Sequence, residues 1–173
     1  MSLLLGKHIN LRALEPEDLD FIFTVENDTD SWHLGNTITP FSKFAIKEYL
    51  ESALLDIYTT KQLRLVIETK ARKPIGLVDL FDFDHFHKRA GIAIIIHQEI
   101  DRQRGFGFES IELLAAYSKA QLQLHQLYCN INSLNINSIK MFEKLGFVKV
   151  GEKIDWRWSL SGYQNELLMQ KIL

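Results

Sequence analysis

The chain has 173 residues, 46% of them hydrophobic and 24% charged, which is the composition of an ordinary globular domain and excludes a largely disordered protein. The formal net charge of −2 argues against nucleic acid as the main partner, and the single cysteine excludes an intrachain disulfide and fits a reducing cytoplasm. With no signal-peptide pattern and no apolar run near the roughly 20 residues that a membrane span needs, we expect one cytoplasmic domain over residues 1–173, away from membranes.

The first third of the chain predicts a strand and two helices. Apolar and polar residues alternate over 9–14, as in a half-buried strand, and Pro16 with its acidic neighbours suits the first turn of a helix that continues to about residue 27. Residues 28–41 predict a loop. Ser42 is a candidate cap for a second helix to about residue 58, with a predicted apolar stripe of Phe44, Tyr49, Leu50, Ala53 and Leu54.

The hydrophobic period then changes to that of strands. Residues 63–68 and 75–81 predict a hairpin, and the nearly continuous apolar run at 89–97 predicts a central strand that is covered on both faces. The later predicted elements are a helix after Gly105, a strand at 127–131, a short helix at 135–145 that ends at Gly146, and strands at 148–158 and 163–172. This order predicts a mixed α/β sheet with helices on both faces.

A basic glycine loop follows the central strand and precedes a helix. Its sequence is Arg102-Gln103-Arg104-Gly105-Phe106-Gly107. The first N–H groups of a helix have no intrahelical partner, and the helix dipole favours negative charge there. The glycines allow a phosphate to approach the backbone closely, and the two arginines add charge and donors. We therefore predict an anion-binding loop.

Two motifs and their spacing give the chain a family resemblance. Residues 102–107 match the loop pattern Arg/Gln-x-x-Gly-x-Gly/Ala, and Asn135-Ile136-Asn137-Ser138, followed by Gly146-Phe147, matches a later Asn-x-x-Ala/Ser signature that ends in Gly-Phe. From about Ile9 to the end, the chain resembles the GNAT superfamily of N-acetyltransferases. Its closest resemblance is to the branches that acetylate spermidine and related diamines or protein N-termini, with similarity to the polyamine branch at 86–96 and 162–166.

The resemblance implies a GNAT fold with a mostly antiparallel sheet of six to seven strands, splayed in the middle, and direct transfer of acetyl from acetyl-CoA to an amine. The cofactor's pantetheine arm is expected to pair with the backbone at Ile94, Ile95 and Ile96, where an N–H would polarise the thioester carbonyl. Asn135 is expected to contact the arm. The residues expected at the pyrophosphate are Arg102, Gln103, Arg104, Gly105, Phe106 and Gly107. A homo-oligomer is implied by the resemblance alone.

Two groups that many relatives use in catalysis are missing. Phe142 stands where many relatives carry a tyrosine acid, and Gly91 and Ala93 stand where several polyamine-type relatives carry Glu and Gln. Either Ser138 is the acid, or proximity and the oxyanion hole suffice and water carries the protons. The amine must also lose a proton before attack, and the candidate bases are Glu68, Asp82, Asp84 and His97.

Carboxylates beside an aromatic residue predict the acceptor site. Glu26, Asp28 and Asp30 flank the loop that carries Trp32 and His33, and the family places part of its acceptor pocket there. Carboxylates and an aromatic ring suit a polycationic amine, although the same residues also fit a solvated helix end. A similar cluster follows one strand: Asp79, Asp82 and Asp84.

The predicted substrate-binding residues are therefore Glu26, Asp28, Trp32 and Asp82, and the predicted acceptor is a polyamine or diamine such as spermidine. The alternatives are a protein N-terminal acetyltransferase and a catalytically weakened acyl-CoA-binding module. Ser138 together with Phe142 motivates the first alternative, and Phe142, Gly91 and Ala93 motivate the second.

Three further features have alternative interpretations. His85 and His87 resemble a metal pair, but no third ligand has a suitable spacing, so no metal is expected. Cys129 lies in an apolar strand and is predicted to be a core residue. Trp156 and Trp158 alternate on one strand and predict either a wall of the substrate site, a subunit contact or a packed core.

Overall fold

The computed structural model of the protein describes residues 3–32, 37–52 and 55–173. Short 3₁₀ turns at Pro16–Asp18 and Glu99–Asp101 precede α1 and α4 respectively. The elements in chain order are β1 (Ile9–Arg12), α1 (Leu19–Glu26), α2 (Lys43–Ser52), α3 (Ile57–Thr60), β2 (Leu63–Thr69), β3 (Pro74–Asp84), β4 (Arg89–Ile96), α4 (Phe106–Ala120), β5 (Gln126–Asn132), α5 (Ile136–Lys144), β6 (Val148–Ser159) and β7 (Gly162–Ile172).

The seven strands of the described residues form one sheet in the order β1-β2-β3-β4-β5-β7-β6. All neighbouring strands are antiparallel except β4 and β5, which are parallel. This pair begins at Arg89↔Gln126 and ends at Gly91↔Tyr128, although β4 continues to Ile96. The predicted splayed, mostly antiparallel sheet is thereby confirmed.

The predicted cap of α2 is confirmed, but the helix is shorter than expected. The Ser42 hydroxyl accepts a hydrogen bond from the Ala45 N–H at 3.1 Å. The described helix ends at Ser52, and a separate short helix follows because Asp56 caps a new first turn by accepting the Thr59 N–H at 2.9 Å.

The predicted apolar stripe of α2 is partly wrong. Ile46 is the buried residue of this helix, with Tyr49 and Leu50 half-buried on the same face at spacings of three and four. Phe44 is exposed, because two residues correspond to a rotation of roughly 200° around a helix. The remaining stripe residues lie outside the described part of the chain: Ala53 and Leu54.

Helices pack on both faces of the sheet, as predicted. On one face Val25 of α1 packs against Val66 and Leu77. On the other, Ile111 and Leu114 of α4 are fully buried in the larger apolar core. No helix in the described ranges is long and apolar enough to span a membrane.

The central strand β4 is covered on both faces over only part of its length. Ala90, Gly91 and Ile92 are buried, whereas Ala93 is exposed and 94–96 are half-buried. The prediction of complete cover was wrong because β5 leaves β4 after Gly91, and the second half of the strand borders open space.

Candidate active site

The diverging ends of β4 and β5 open a cleft of about 1310 Å³. This volume exceeds that of a typical pocket for a drug-sized ligand, so the cleft has room for an extended ligand together with a second molecule. The predicted site residues that line it are Ile94, Ile95, Ile96, Arg102, Gln103, Gly105, Gly107, Asn135, Ser138 and Asp82. The structure thus brings most of the residues predicted to bind the cofactor together along one cleft.

The β4 wall presents a free backbone edge. Ile94, Ile95 and Ile96 pair on one side with β3, at Val78, Leu77 and Gly76. On the other side no described strand pairs with them, because the β4–β5 ladder has already ended. An extended amide-containing chain can therefore add to this edge through main-chain hydrogen bonds.

The glycine loop has the backbone that the sequence predicted. Gly105 caps α4 with φ +83°, a left-handed conformation that favours glycine, and a Cβ there would meet nothing within 4 Å. A Cβ at Gly107 would lie 3.3 Å from Met141 Sδ. The first N–H groups of α4 therefore open onto the cleft beside residues without side chains.

The two arginines of this loop have different surroundings. Arg102 lines the cleft, and its Nε and Nη2 donate to the carbonyls of Ile96 and His97 at 3.0 and 2.9 Å, which ties the end of β4 to the loop. Arg104 does not line the cleft. Its Nη1 lies 3.6 Å from Asp101, and its guanidinium stands 4.9 Å from the centre of the Phe106 ring. Phe106 is itself buried, so its side chain faces the core.

Helix α5 brings Asn135 and Ser138 to the same wall. The Asn135 side chain caps the helix by accepting the Ser138 N–H at 3.2 Å. Sequence reasoning missed Lys140 and Lys144, which also line the cleft. Their spacing of four on a predicted helix was the available signal, because such residues share a face.

The position of the usual tyrosine acid is filled by a core side chain. Phe142 is 3% exposed, and its ring centre lies 4.9 Å from that of Phe147 in an edge-to-face contact. A phenyl ring has no proton to donate. Any acid at this wall must therefore be another group.

Asp82 projects into the cleft from an irregularity in β3. The register shifts between Phe81 and Asp84, and Asp82 has φ +49°. Tyr128 Oη donates to its Oδ2 at 3.1 Å, and burial together with the Asp82 charge raises the pKa of Tyr128 to about 12. Sequence reasoning found Asp82 but missed Tyr128, because nothing local links two residues on different strands.

The glycine at position 91 has a packing cause. A Cβ on Gly91 would overlap the ring of Phe81. No side chain fits here without moving that ring, so the carboxylate that several polyamine-type relatives carry at this position would require Phe81 to shift. Asp82, one residue beyond Phe81, is the carboxylate that this part of the cleft has instead.

The other three predicted acceptor residues lie outside the cleft walls. Glu26 binds Arg64 Nη1 at 2.5 Å, while Asp79 accepts from Arg64 Nε at 2.6 Å and from Nη2 at 3.1 Å. Burial raises the pKa of Asp79, and the neighbouring guanidinium opposes that rise. Glu26 and Asp79 are thus engaged by an internal cation.

Asp28 and Trp32 organise the loop after α1. Asp28 accepts from the Ser31 hydroxyl at 2.8 Å and lies 3.6 Å from His97 Nδ1. The Trp32 indole N–H donates to the Glu26 carbonyl at 2.8 Å. The predicted neighbour His33 lies outside the described residues.

Of the four candidate bases, Asp82 alone lines the cleft. Glu68 is buried and bound by Arg12 at 2.8 Å. Asp84 lies 3.4 Å from Arg89, and the backbone N–H of His87 lowers its pKa. The His97 carbonyl accepts a hydrogen bond from Arg102, and the His97 ring lies beside Asp28 and does not line the cleft.

A buried charged cluster on β6 and β7 was also missed. Glu166 is 6% exposed and binds Lys153 at 2.8 Å and Arg157 at 3.2 Å, and all three line the cleft. Trp156 lines the cleft beside them, and both it and Trp158 are more than half exposed, so the packed-core alternative for these indoles is wrong.

Cys129 is a core residue, as predicted. It is buried on β5, and burial raises the pKa of its thiol to about 12, so the thiol stays protonated at neutral pH. Among the described residues no group of three or more His, Cys, Asp or Glu is arranged to hold a metal ion.

The protein is similar to known acetyltransferases in both sequence and structure. A family model described as an acetyltransferase (GNAT) domain matches residues 8–148. Spermidine N(1)-acetyltransferases of Vibrio cholerae serotype O1 and Escherichia coli strain K12 are each 29% identical over 161 residues, covering 93% of this chain and 91% and 84% of theirs. Among solved structures, spermidine N-acetyltransferase from Vibrio cholerae in complex with CoA and spermine matches with a TM-score of 0.87 at 26% identity, covering 96% of both chains. A dodecameric structure of that Vibrio protein matches with a TM-score of 0.81 at 27% identity, covering 96% of this chain and 95% of the other.

Proposed function

Since this chain belongs to the GNAT family of acetyl-CoA-dependent acetyltransferases, we propose that its acceptor is a polyamine or diamine such as spermidine. The observation that carries the proposal is the match of 96% of the chain, at a TM-score of 0.87, to a structure solved with CoA and spermine. The cleft supports it, because it has one wall suited to a long cofactor and a second wall with an accessible carboxylate, Asp82. All seven described strands share one sheet, so we propose that residues 1–173 act as one catalytic domain.

The cofactor is proposed to lie along β4 and the glycine loop. Its amide-containing arm would add to the free edge at 94–96, and its phosphates would meet the first N–H groups of α4 near Gly105 and Gly107. Lys140 and Lys144 would add positive charge at this wall. Arg104 and Phe106 are proposed to support the loop from behind, since neither lines the cleft.

The transfer forms an N–C bond and breaks the C–S bond of acetyl-CoA. The acceptor ammonium first loses a proton, and we assign Asp82 to receive it directly or through water. A backbone N–H near Ile95 or Ile96 would stabilise the oxyanion, a contribution on the order of 100-fold in rate. The departing thiolate would gain a proton from Ser138 or from water, since Phe142 has none to give.

Self-association is proposed for the edge of the sheet formed by β6. Apolar side chains are exposed along it and the following turn, including Ile154, Trp158 and Leu160. A relative with a similar fold forms a dodecamer. We propose a second copy of this chain as the occupant, and molar mass by light scattering tests it. A monomer at all concentrations would contradict it.

The acceptor is tested by CoA thiol release from acetyl-CoA with spermidine, spermine, a diamine and a short peptide with a free N-terminus. Release with the polyamines and not with the peptide is expected. Release with the peptide alone would replace the proposal by protein N-terminal acetylation. Tight acetyl-CoA binding without release on any amine would favour an acyl-CoA-binding module.

A further inference from the structure

The cleft holds a buried carboxylate that already has a cationic occupant. Glu166 lies on β7 between Asn132 of β5 and Lys153 of β6. Its side chain is 7% exposed, although it borders the cleft. A carboxylate so far from water needs a cationic partner to remain ionised, so whatever occupies this position is positively charged.

The present occupant is the ammonium of Lys153. Its Nζ donates to Glu166 Oε1 at 2.8 Å and to Asn130 Oδ1 at 2.9 Å, and it lies 4.9 Å from the centre of the Trp156 ring. We call Glu166, Asn130 and Trp156 the ammonium cage. A carboxylate, an amide oxygen and an aromatic face are the three kinds of group that bind an alkylammonium ligand.

Lys153 can leave its carboxylate more easily than Arg64, the cation of another charged cluster, can leave its two carboxylates. The Glu26–Arg64–Asp79 cluster uses a planar guanidinium fixed by several bonds, and Arg64 does not line the cleft. Lys153 is a flexible point charge, one third exposed at the cleft surface.

Glu166 would not be left alone if Lys153 moved. Its second oxygen accepts from Arg157 Nη1 at 3.2 Å. Replacement of the Lys153 ammonium by another ammonium also leaves the total charge of the cage unchanged. Exchange therefore avoids the large free-energy cost of a buried unpaired charge. Occupancy of the cage by Lys153 can thus be reversible.

We propose that Lys153 is an internal competitor for the acceptor: its ammonium occupies a subsite for the second, non-reacting ammonium of a polyamine, which displaces it on binding. This inference rests on the proposed function, because only an acceptor with a remote ammonium uses the subsite. The lysine thus lowers the affinity for polyamines, and in their absence it neutralises the buried charge of Glu166.

The test compares Lys153→Met with a matched control, Lys149→Met. Lys149 is on the same strand and pairs with Glu152 at 2.6 Å, but it does not line the cleft. Both variants remove one positive charge, so a general electrostatic effect on cation binding would be similar in both. The readout is the KM for spermidine divided by the KM for butylamine, which has no second ammonium.

We expect this ratio to fall three- to tenfold in Lys153→Met and to stay at the wild-type value in Lys149→Met. Titration of spermidine into the CoA-bound protein should show the same tightening without turnover. Adding Glu166→Gln to Lys153→Met should reverse the gain, because the cage then lacks its charge, and thermal melting checks that each variant is folded.

An unchanged or raised ratio in Lys153→Met, or an equal fall in Lys149→Met, would overturn the inference. These outcomes are distinct from failure of the proposed function, which would appear as a wild-type protein that does not acetylate spermidine at all. In that case the inference falls with it.

Discussion

The two walls of the cleft are built in different ways. The wall proposed to bind the cofactor, called the cofactor wall below, consists mainly of backbone: the free edge of β4, the glycines of the loop and the start of α4. The wall proposed to bind the acceptor, called the acceptor wall, consists of side-chain charges held by other side chains, as in Asp82 with Tyr128 and Glu166 with Lys153. Backbone recognition needs a particular conformation, whereas paired charges can be exchanged one residue at a time. The acceptor wall is therefore where specificity can change without loss of cofactor binding.

The largest expected loss of activity comes from a substitution that changes the acceptor wall alone. Asp82→Asn removes the only candidate base that lines the cleft, and kcat/KM for spermidine should fall by roughly 100-fold, the usual scale of a lost general base. Acetyl-CoA binding, measured by calorimetry, should be unchanged. Asp84→Asn is the control, since that carboxylate pairs with Arg89 outside the cleft. An equal loss in both variants would remove Asp82 from the mechanism.

The next largest effect is expected from a substitution that changes the cofactor wall alone. Gly105→Val forces a branched residue into a left-handed backbone conformation, at a cost of about 1–3 kcal/mol, so the KM for acetyl-CoA should rise roughly tenfold to hundredfold. Space is not the issue, because a Cβ at Gly105 meets nothing within 4 Å. Gly151→Val is the matched control: it is equally open, but without a positive φ. A parallel rise in the spermidine KM would contradict the separation of the two walls.

A smaller effect lies where the walls meet. Ser138→Ala should lower turnover roughly tenfold or more without weakening acetyl-CoA binding, if the hydroxyl protonates the thiolate. The helix cap is preserved, because Asn135 binds the backbone N–H and not the hydroxyl of Ser138. Single-turnover kinetics separates this step from binding. Unchanged turnover would assign the proton to water.

The smallest effect is expected from the loss of one hydrogen bond within the acceptor wall. Tyr128→Phe removes the hydroxyl that orients Asp82, and kcat/KM for spermidine should fall about fivefold, the value of one hydrogen bond. Because the pKa of Tyr128 is raised to about 12, its hydroxyl stays protonated at lower pH and the bond persists there. The ratio of mutant to wild-type activity should therefore be constant from about pH 7 to 10. A ratio that changes in this range would contradict the assignment, and the exposed Tyr163→Phe is the control.

The same contrast explains what could be predicted from sequence. The residues of the proposed cofactor wall could be named from the sequence because they are contiguous, at 102–107 and 135–138, and because glycine and cap positions have local signatures. The acceptor wall was largely missed. Glu26 looked available, but Arg64, 38 residues away, binds it. Glu166 meets Lys153 across the β6–β7 hairpin, and although both strands were predicted, their pairing register, which shifts between Lys153 and Arg157, has no local signature.

The short β4–β5 ladder also has a consequence for solubility. Beyond Gly91 the strand β4 is, in effect, an unpaired sheet edge inside the molecule, and unpaired edges are templates for association with other chains. The cofactor arm, if it adds there, is the strand that closes this edge. Amide hydrogens at 94–96 should then exchange more slowly when CoA is bound, and the protein should be least prone to aggregate when its cleft is filled.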